Sequence, residues 1–373
     1  MNLDSYFAVT APGLEDFTAQ ELHSLAVEPV IEPGGVLFKG DLGTLYRANL
    51  HLRTASRVLA RLGNFFFATT FPELQKRASR LPWERVLTPG QPVSLRVSCH
   101  RSKLYHSDAV GRTVATALAE RLGQPCPVIR AEEESDQPPQ LIVVRLADDR
   151  CTISVDSSGV LLHKRGYRQA VAKAPLRETL AAGLLMASGW DKTSPLLDPF
   201  CGSGTIPIEA ALMALGIPPG NNRRFAFMEW PGYDEKLWKA ISTSQQMAAG
   251  NVPAIHGSDR DAGAIKMSHE NAERAGVSEF IDFQCQAISS ITPPRGPGWV
   301  VTNPPYGLRV SEGKDLRNLY AQFGHVLREK CPGWNIAVLC SDPALLGQMQ
   351  VKLDTSLGLV NGGVRVRVGR GRV

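Results

Sequence analysis

The chain has 373 residues, enough for two or three domains that each bury a core. Its 43% apolar and 21% charged content reads as globular. No run approaches the ~20 apolar residues of a membrane span, and Met1 to Tyr6 lacks the basic-then-apolar pattern of a signal peptide.

Net charge is +5, unevenly spread. Residues 1–46 carry one base, Lys39, against seven acids; residues 47–130 carry fourteen bases against four acids, about +10 by direct count. Twelve of those bases are Arg, which suits bidentate phosphate contact and stacking on bases. A block this lopsided reads as an electrostatic footprint for a polyanion, beside the plainer reading of a solvated face. The last segment adds Arg365, Arg367, Arg370 and Arg372 with no acid after Asp354. The seven cysteines are odd in number, widely spaced and never C-x-x-C. That argues against a disulfide framework and a zinc site, and fits a reducing cytoplasm.

In chain order, Tyr6 to Thr10 predicts a strand and Leu14 to Leu25 a helix after the Pro12-Gly13 turn. Gly35 to Gly40 predicts a second strand, and Leu42 to Leu62 a long helix carrying Arg47, Arg53, Arg57 and Arg61. Leu74 to Leu81 reads as helix, Val93 to Ser98 as a half-buried strand, and Asp108 to Leu122 as an amphipathic helix stopped by Gly123. An acidic, Pro-containing surface loop is expected at 132–139, ahead of strands at Leu141 to Leu146 and Thr152 to Asp156. Trp83, Tyr105 and Phe65 to Phe67 are candidate base-stacking residues, with core packing the expected role for most of them.

From about residue 165 strands and helices alternate: helix 175–190, strand 195–198, helix 205–215, strand 253–259, helix 261–275, strands 280–284 and 298–302, helix 315–330, strand 335–340. Such alternation predicts a doubly wound, mostly parallel α/β sheet with ligands at the carboxyl ends of its strands.

Three strand ends carry chemistry. Asp198-Pro199-Phe200-Cys201-Gly202-Ser203-Gly204-Thr205 turns from strand to helix through glycines that let a ligand approach the backbone, and the helix start at Thr205 offers N–H groups to an anion. No P-loop Lys is present and G-x-G-x-x-G is broken, so a carboxylate is the better guest than a phosphate. Gly257-Ser258-Asp259-Arg260-Asp261 ends the next strand; Asp259 can grip two ribose hydroxyls, while Asp261 suits a helix N-cap. Asn303-Pro304-Pro305-Tyr306 follows the strand 298–302. The Asn oxygen accepts from an amino group, the Pro304 carbonyl can face a site with no competing N–H, and the Tyr face suits a planar base. Taken alone, a Pro-Pro after a strand also reads as a simple strand stop.

Together these segments resemble motifs I, II and IV of Rossmann-like, S-adenosylmethionine-dependent amino-methyltransferases. The run His163 to Arg168, with Ala174-Pro175-Leu176-Arg177-Glu178-Thr179-Leu180-Ala181-Ala182, is similar to the entry into the catalytic domain of THUMP-bearing RNA guanine-N2 methyltransferases of the RlmL and TrmN kind. Gly13-Leu14-Glu15, Arg47 to Leu59, Ser102 to His106 and Leu359 to Gly363 extend the resemblance over nearly the whole chain.

It implies a ferredoxin-like part at 1–42, a THUMP RNA-binding domain at 43–154, a linker strand and helix at 155–190, and the methyltransferase domain at 191–373. It implies methyl transfer to guanine N2 in structured RNA, with rRNA favoured over tRNA; DNA adenine N6 or a non-catalytic RNA-binding role are the alternatives. The catalytic residues would be Asn303, Pro304, Pro305 and Tyr306. The cofactor would meet Asp198, Phe200, Gly202, Ser203, Gly204, Thr205, Asp259, Arg260 and Asn303. Gln286 stands where the family has an acid facing adenine, and its oxygen can accept the same bond. RNA contacts would fall on Arg53, Arg57, Arg101, Lys103, Arg168 and Arg309. No metal, a monomer and a cytoplasmic setting are expected. Some relatives carry a second methyltransferase domain, an activity expected to be absent here. Removal of 1–160 is expected to spare cofactor binding and abolish RNA methylation.

Overall fold

The computed structural model describes residues 4–130, 138–168, 176–243, 252–306 and 316–373. The first half is built on β1 (Asp4–Thr10), β2 (Pro29–Glu32), β3 (Gly35–Gly40), β4 (Ala55–Arg61), β5 (Phe66–Phe67), β6 (Val93–His100), β7 (Gln140–Ala147) and β8 (Arg150–Asp156). These form one sheet in the order β2-β3-β1-β4-β8-β7-β6, with β5 on β8. Its helices are α1 (Glu15–Ser24), α2 (Leu42–His51), α3 (Phe71–Ala78) and α4 (Ser107–Leu122).

Residues 42–62 are therefore not one helix. The chain leaves α2 at Leu52, in extended conformation, and returns as β4 alongside β1. The Glu21 carboxylate pulls it out of the helix by accepting from Arg53 N (2.7 Å), Thr54 N (3.1 Å) and Thr54 Oγ1 (2.5 Å). Because β4 pairs with β1, the first unit extends past residue 42 to the end of that strand, and the β4–β8 pairing joins it to the second unit in one sheet. No strand follows Gly159 before α5 (Glu178–Ala187) among the described residues.

The second half adds β9 (Leu196–Asp198), α6 (Thr205–Ala214), α7 (Glu235–Thr243), β10 (Ile255–Asp259), α8 (Ala262–Ala275), β11 (Ile281–Cys285), β12 (Trp299–Thr302), α9 (Arg317–Lys330), β13 (Asn335–Cys340), α10 (Pro343–Gln348), β14 (Leu353–Asp354), β15 (Gly358–Asn361) and β16 (Val364–Arg372). The sheet runs β11-β10-β9-β12-β13-β16-β14, with β15 on β16. Its first five strands are parallel and β16 lies antiparallel to β13. The arginine-rich tail is thus a sheet strand rather than a free basic segment. Val366 and Val368 alternate inward, Arg370 pairs with Asp354 at 2.7 Å, and Arg372 Nε donates to the Gly333 carbonyl at 2.9 Å.

The halves share a core. Phe225, Phe227, Trp230 and Ile241, from the stretch between α6 and β10, pack among the first half's buried residues, with Phe227 stacked on Tyr46 at 4.4 Å. Leu14 lies buried against Gly183 of α5. Arg165 bonds the buried Glu209 of α6 (3.3 Å) and the Arg53 carbonyl (2.7 Å). Removing 1–160 would therefore strip cover from four large apolar side chains of the catalytic half, which argues against cofactor binding surviving that deletion.

Candidate active site

β9, β10 and β12 lie side by side and parallel, so their carboxyl ends open on one edge of the second sheet. The loop after β9 reaches α6 through Gly202 (φ +53°) and Gly204 (φ +81°), left-handed positions that favour glycine. A side chain at Gly204 would also press within 3.0 Å of the Phe283 ring and 3.1 Å of Ser268 Cβ. The loop is pinned from α8: Ser268 Oγ donates to the Gly202 carbonyl (2.8 Å) and Asn271 Nδ2 to that of Ser203 (3.0 Å). α6 begins without a side-chain cap, as a helix start awaiting an anion does.

Asp259 closes this loop from β10. One carboxylate oxygen accepts from Gly202 N (3.1 Å), the other from Asp261 N (3.0 Å), and lone pairs on both remain for ribose hydroxyls. Asp261 caps α8 through Gly263 N and Ala264 N. Gln286 N donates to the Asp259 carbonyl (2.9 Å), which sets the half-buried Gln286 beside the same strand end. Arg260 is exposed, and Phe200 lies half-buried edge-on to Phe323 at 5.2 Å.

Asp198 is 1% exposed and lies beneath the turn as a brace rather than at its surface. It accepts from Thr302 Oγ1 (2.6 Å) and Phe200 N (3.2 Å), so it ties the end of β9 to the end of β12. Burial pushes its carboxyl up to about 7 against these hydrogen bonds, with the Asp259 charge adding to the rise.

Thr302 delivers the chain to Asn303. The Asn303 Oδ1 atom is buried and has no hydrogen-bond partner among the described residues. A carbonyl oxygen in that state lacks the donor it needs, which costs about 1–3 kcal/mol until one arrives. Pro304 is buried, and Tyr320 Oη on α9 donates to the Pro305 carbonyl at 3.3 Å. Tyr306 is partly buried, and burial raises its hydroxyl pKa. Its Oη accepts from Asn361 Nδ2 at 3.0 Å, reaching over from the β15–β16 turn. Thr302, Ser268, Asn271 and Asn361 are the residues that sequence reasoning gave no role. Only Asn361 had a signal, its place before Gly362-Gly363 in a turn.

The RNA candidates divide. Arg53 Nη2 donates to the Ile217 (2.6 Å) and Leu212 (3.4 Å) carbonyls, and Arg57 pairs with the buried Asp156; both are tied up inside the molecule rather than facing RNA. Arg168 donates to Thr205 Oγ1 (2.6 Å) and the Leu176 carbonyl (2.9 Å), which places it at the start of α6 instead of on an RNA surface. Arg101 and Lys103 are exposed, and Arg309 lies outside the described residues.

An acid at the end of β10, a glycine turn into an uncapped helix and a loop with an unpartnered Asn oxygen, on a sheet of this order, are the features of a Rossmann-like S-adenosylmethionine-dependent methyltransferase. Residues 165–366 match the family described as RMKL-like, methyltransferase domain; residues 5–59 match the RlmL ferredoxin-like domain and 68–156 the THUMP domain. The chain belongs to the RMKL-like methyltransferase family. It is 34% identical, over 96% of its length and 94% of the relative's, to a putative RNA methyltransferase of Synechocystis. It is 36% identical to the ribosomal RNA large subunit methyltransferase K/L of Methylococcus capsulatus, over 97% of this chain but 50% of that one. Among solved structures, a possible methylase from Clostridium difficile superposes with a TM-score of 0.88 at 31% identity, over 99% of this chain and 98% of that one. A putative methyltransferase, SMU.472, complexed with SAH superposes with a TM-score of 0.86 at 29% identity, over 99% and 98%.

Proposed function

We propose that this protein transfers a methyl group from S-adenosylmethionine to the exocyclic N2 of a guanine in large-subunit ribosomal RNA. The cofactor supplies an electrophilic sulfonium methyl. The residues fit it: the uncapped start of α6 and the Gly202–Gly204 backbone suit its carboxylate, Asp259 its ribose and Gln286 its adenine amino group.

The unpartnered Asn303 Oδ1 carries the reading. It and the Pro304 carbonyl accept the two N–H bonds of the guanine amino group, which holds the nitrogen lone pair out of the ring and toward the methyl. Tyr306, fixed by Asn361, gives the extruded base a face to stack on. Acceleration comes from this alignment and from placed dipoles rather than from a strong base. The THUMP match favours RNA as substrate, and the Methylococcus relative's name favours large-subunit rRNA. A ribosomal RNA substrate favours a cytoplasmic setting.

Nucleoside mass spectrometry of rRNA and tRNA, taken separately from cells lacking the protein, tests this. Loss of N2-methylguanosine from large-subunit rRNA, restored by the wild type and not by Asn303→Ala, is expected. Loss confined to tRNA overturns the substrate; loss of N6-methyladenine instead overturns the base.

A further inference from the structure

Two motifs still without a role, Gly13-Leu14-Glu15 near the start of the chain and Leu359 to Gly363 near its end, meet in the fold. The first is a pinned turn. Leu14 N donates to the Ala11 carbonyl (3.0 Å), Gly13 N to Glu15 Oε2 (2.7 Å) and Thr18 N to the Leu14 carbonyl (3.0 Å). Leu14 itself is fully buried, against Gly183 of α5. The second is the tip of the β15–β16 hairpin, in which Gly358 lies level with Arg367, Leu359 with Val366, Val360 with Arg365 and Asn361 with Val364. Leu359 and Val366 are buried in the same core as Leu14.

The contact between the two motifs admits no side chain. Gly13 is left-handed (φ +93°). A Cβ there would run into the Gly358 carbonyl oxygen and lie 2.9 Å from Leu359 Cδ2. The first obstacle is backbone, so one of the two segments would have to move. Three hydrogen bonds and a buried leucine hold the turn, whereas β15 pairs with β16 alone among the described strands. The hairpin is the segment that gives way.

Its far end reaches the catalytic loop. The three residue steps from Gly358 to Asn361 span about 10 Å. There Asn361 Nδ2 donates to Tyr306 Oη at 3.0 Å, while Tyr320 Oη separately holds the neighbouring Pro305 carbonyl at 3.3 Å. A displaced hairpin takes the partner of the Tyr306 hydroxyl with it and leaves the loop backbone held. The ring is then free to turn about its own side-chain torsions.

We propose that Gly13, in the first half, is a positioning residue for Tyr306 and acts through the β15–β16 hairpin. The turn seats the base of the hairpin, and Asn361 at its tip sets the plane of the ring. The value of that plane for methyl transfer rests on the function proposed above; the mechanical link does not.

The chain has seven tyrosines, so fluorine NMR of the full chain labelled with 3-fluorotyrosine can follow Tyr306, its signal identified by Tyr306→Phe. Gly13→Ala should move that signal toward the position it takes in Asn361→Ala. Glu15→Ala removes the acceptor of Gly13 N without crowding the hairpin, and should move the signal the same way but less. Gly34→Ala is the control. Gly34 is also left-handed (φ +83°) but has nothing within 4 Å, so the variant carries the backbone strain without the collision, and the signal should stay in place. Calorimetric S-adenosylhomocysteine affinity within about twofold of wild type reports an intact fold in each variant. With ribosomal RNA from cells lacking the protein, kcat should fall about tenfold in Gly13→Ala and in Asn361→Ala, and no further in the double variant, because both act on one ring. A Tyr306 signal unmoved by both Gly13→Ala and Glu15→Ala, a signal moved equally by Gly34→Ala, or kcat losses that multiply in the double variant overturn the proposal. The fluorine readout needs neither RNA nor methyl transfer. A chain that methylates a different atom leaves the link standing, and an unmoved signal leaves the guanine reading standing.

Discussion

Asp198→Asn isolates what burying a carboxyl beneath the cofactor loop costs the protein. In the folded chain the Asp198 carboxyl is pushed up to about 7 from the ordinary 3.8, chiefly because burial disfavours its charge. An acid whose folded pKa is raised is protonated in both states below about pH 4, so it costs nothing there. As pH rises toward 7 the unfolded chain ionises first, and folding has to return a proton to Asp198. The difference of about three pH units corresponds to about 4 kcal/mol of stability lost between roughly pH 4 and pH 8. Asparagine keeps the oxygen that accepts from Thr302 and Phe200 N, and it does not titrate. Urea unfolding of wild type and variant, at half-unit steps from pH 4 to pH 8, reads the effect. The stability of the variant relative to wild type should climb by up to about 4 kcal/mol across that range. Parallel curves would show that the carboxyl is not buried in the folded protein, and a climb toward low pH would reverse the sign of the reasoning.

Asn303→Ala should lower methyl transfer at saturating RNA by about a hundredfold, with calorimetric S-adenosylhomocysteine affinity unchanged within about twofold. Asp259→Ala removes both the proposed ribose ligand and the acceptor of Gly202 N, so S-adenosylhomocysteine should bind at least about tenfold more weakly by the same measurement. Gly204→Ala places a side chain at φ +81° against the Phe283 ring, and thermal unfolding should report a loss of about 1–3 kcal/mol. Arg165→Ala leaves Glu209 buried without its cation and with only the Tyr167 hydroxyl donating to it, and denaturant unfolding should show a loss of about 3–5 kcal/mol, much of it recovered by adding Glu209→Leu.

The methyltransferase half was legible because β9, β12 and β13 are short apolar runs with a Pro within three residues of their ends. β9, β10 and β12 fall within two residues of their expected bounds, and the residues after them are those the proposed chemistry uses. The stretch 42–62 misled because no Gly or Pro between Gly43 and Gly63 marks the break. The break is tertiary: it needs Glu21, far away in sequence, to take the N–H groups of Arg53 and Thr54. The basic tail misled in another way. Its arginines suggested a polyanion, while the alternation in Val364-Arg365-Val366-Arg367-Val368 was the signal of a half-buried strand. At the site, the residue types of Asn303 and Asp259 were the signals for the chemistry proposed for them. The bonds from Thr302 to Asp198 and from Asn361 to Tyr306 join segments that no sequence spacing connects.

The interleaved core of the two halves sets a metric for the substrate. Leu14 seated on α5, and Phe227 seated on Tyr46, leave little freedom to swing one half against the other. The span from the outer half of the first sheet to Asn303 is then set by the fold rather than by a hinge. Under the proposed function, an RNA that rests on the first half has to present its target base at that span, as a workpiece is gauged between caliper jaws. A base in the right local sequence at the wrong distance is then expected to go unmethylated.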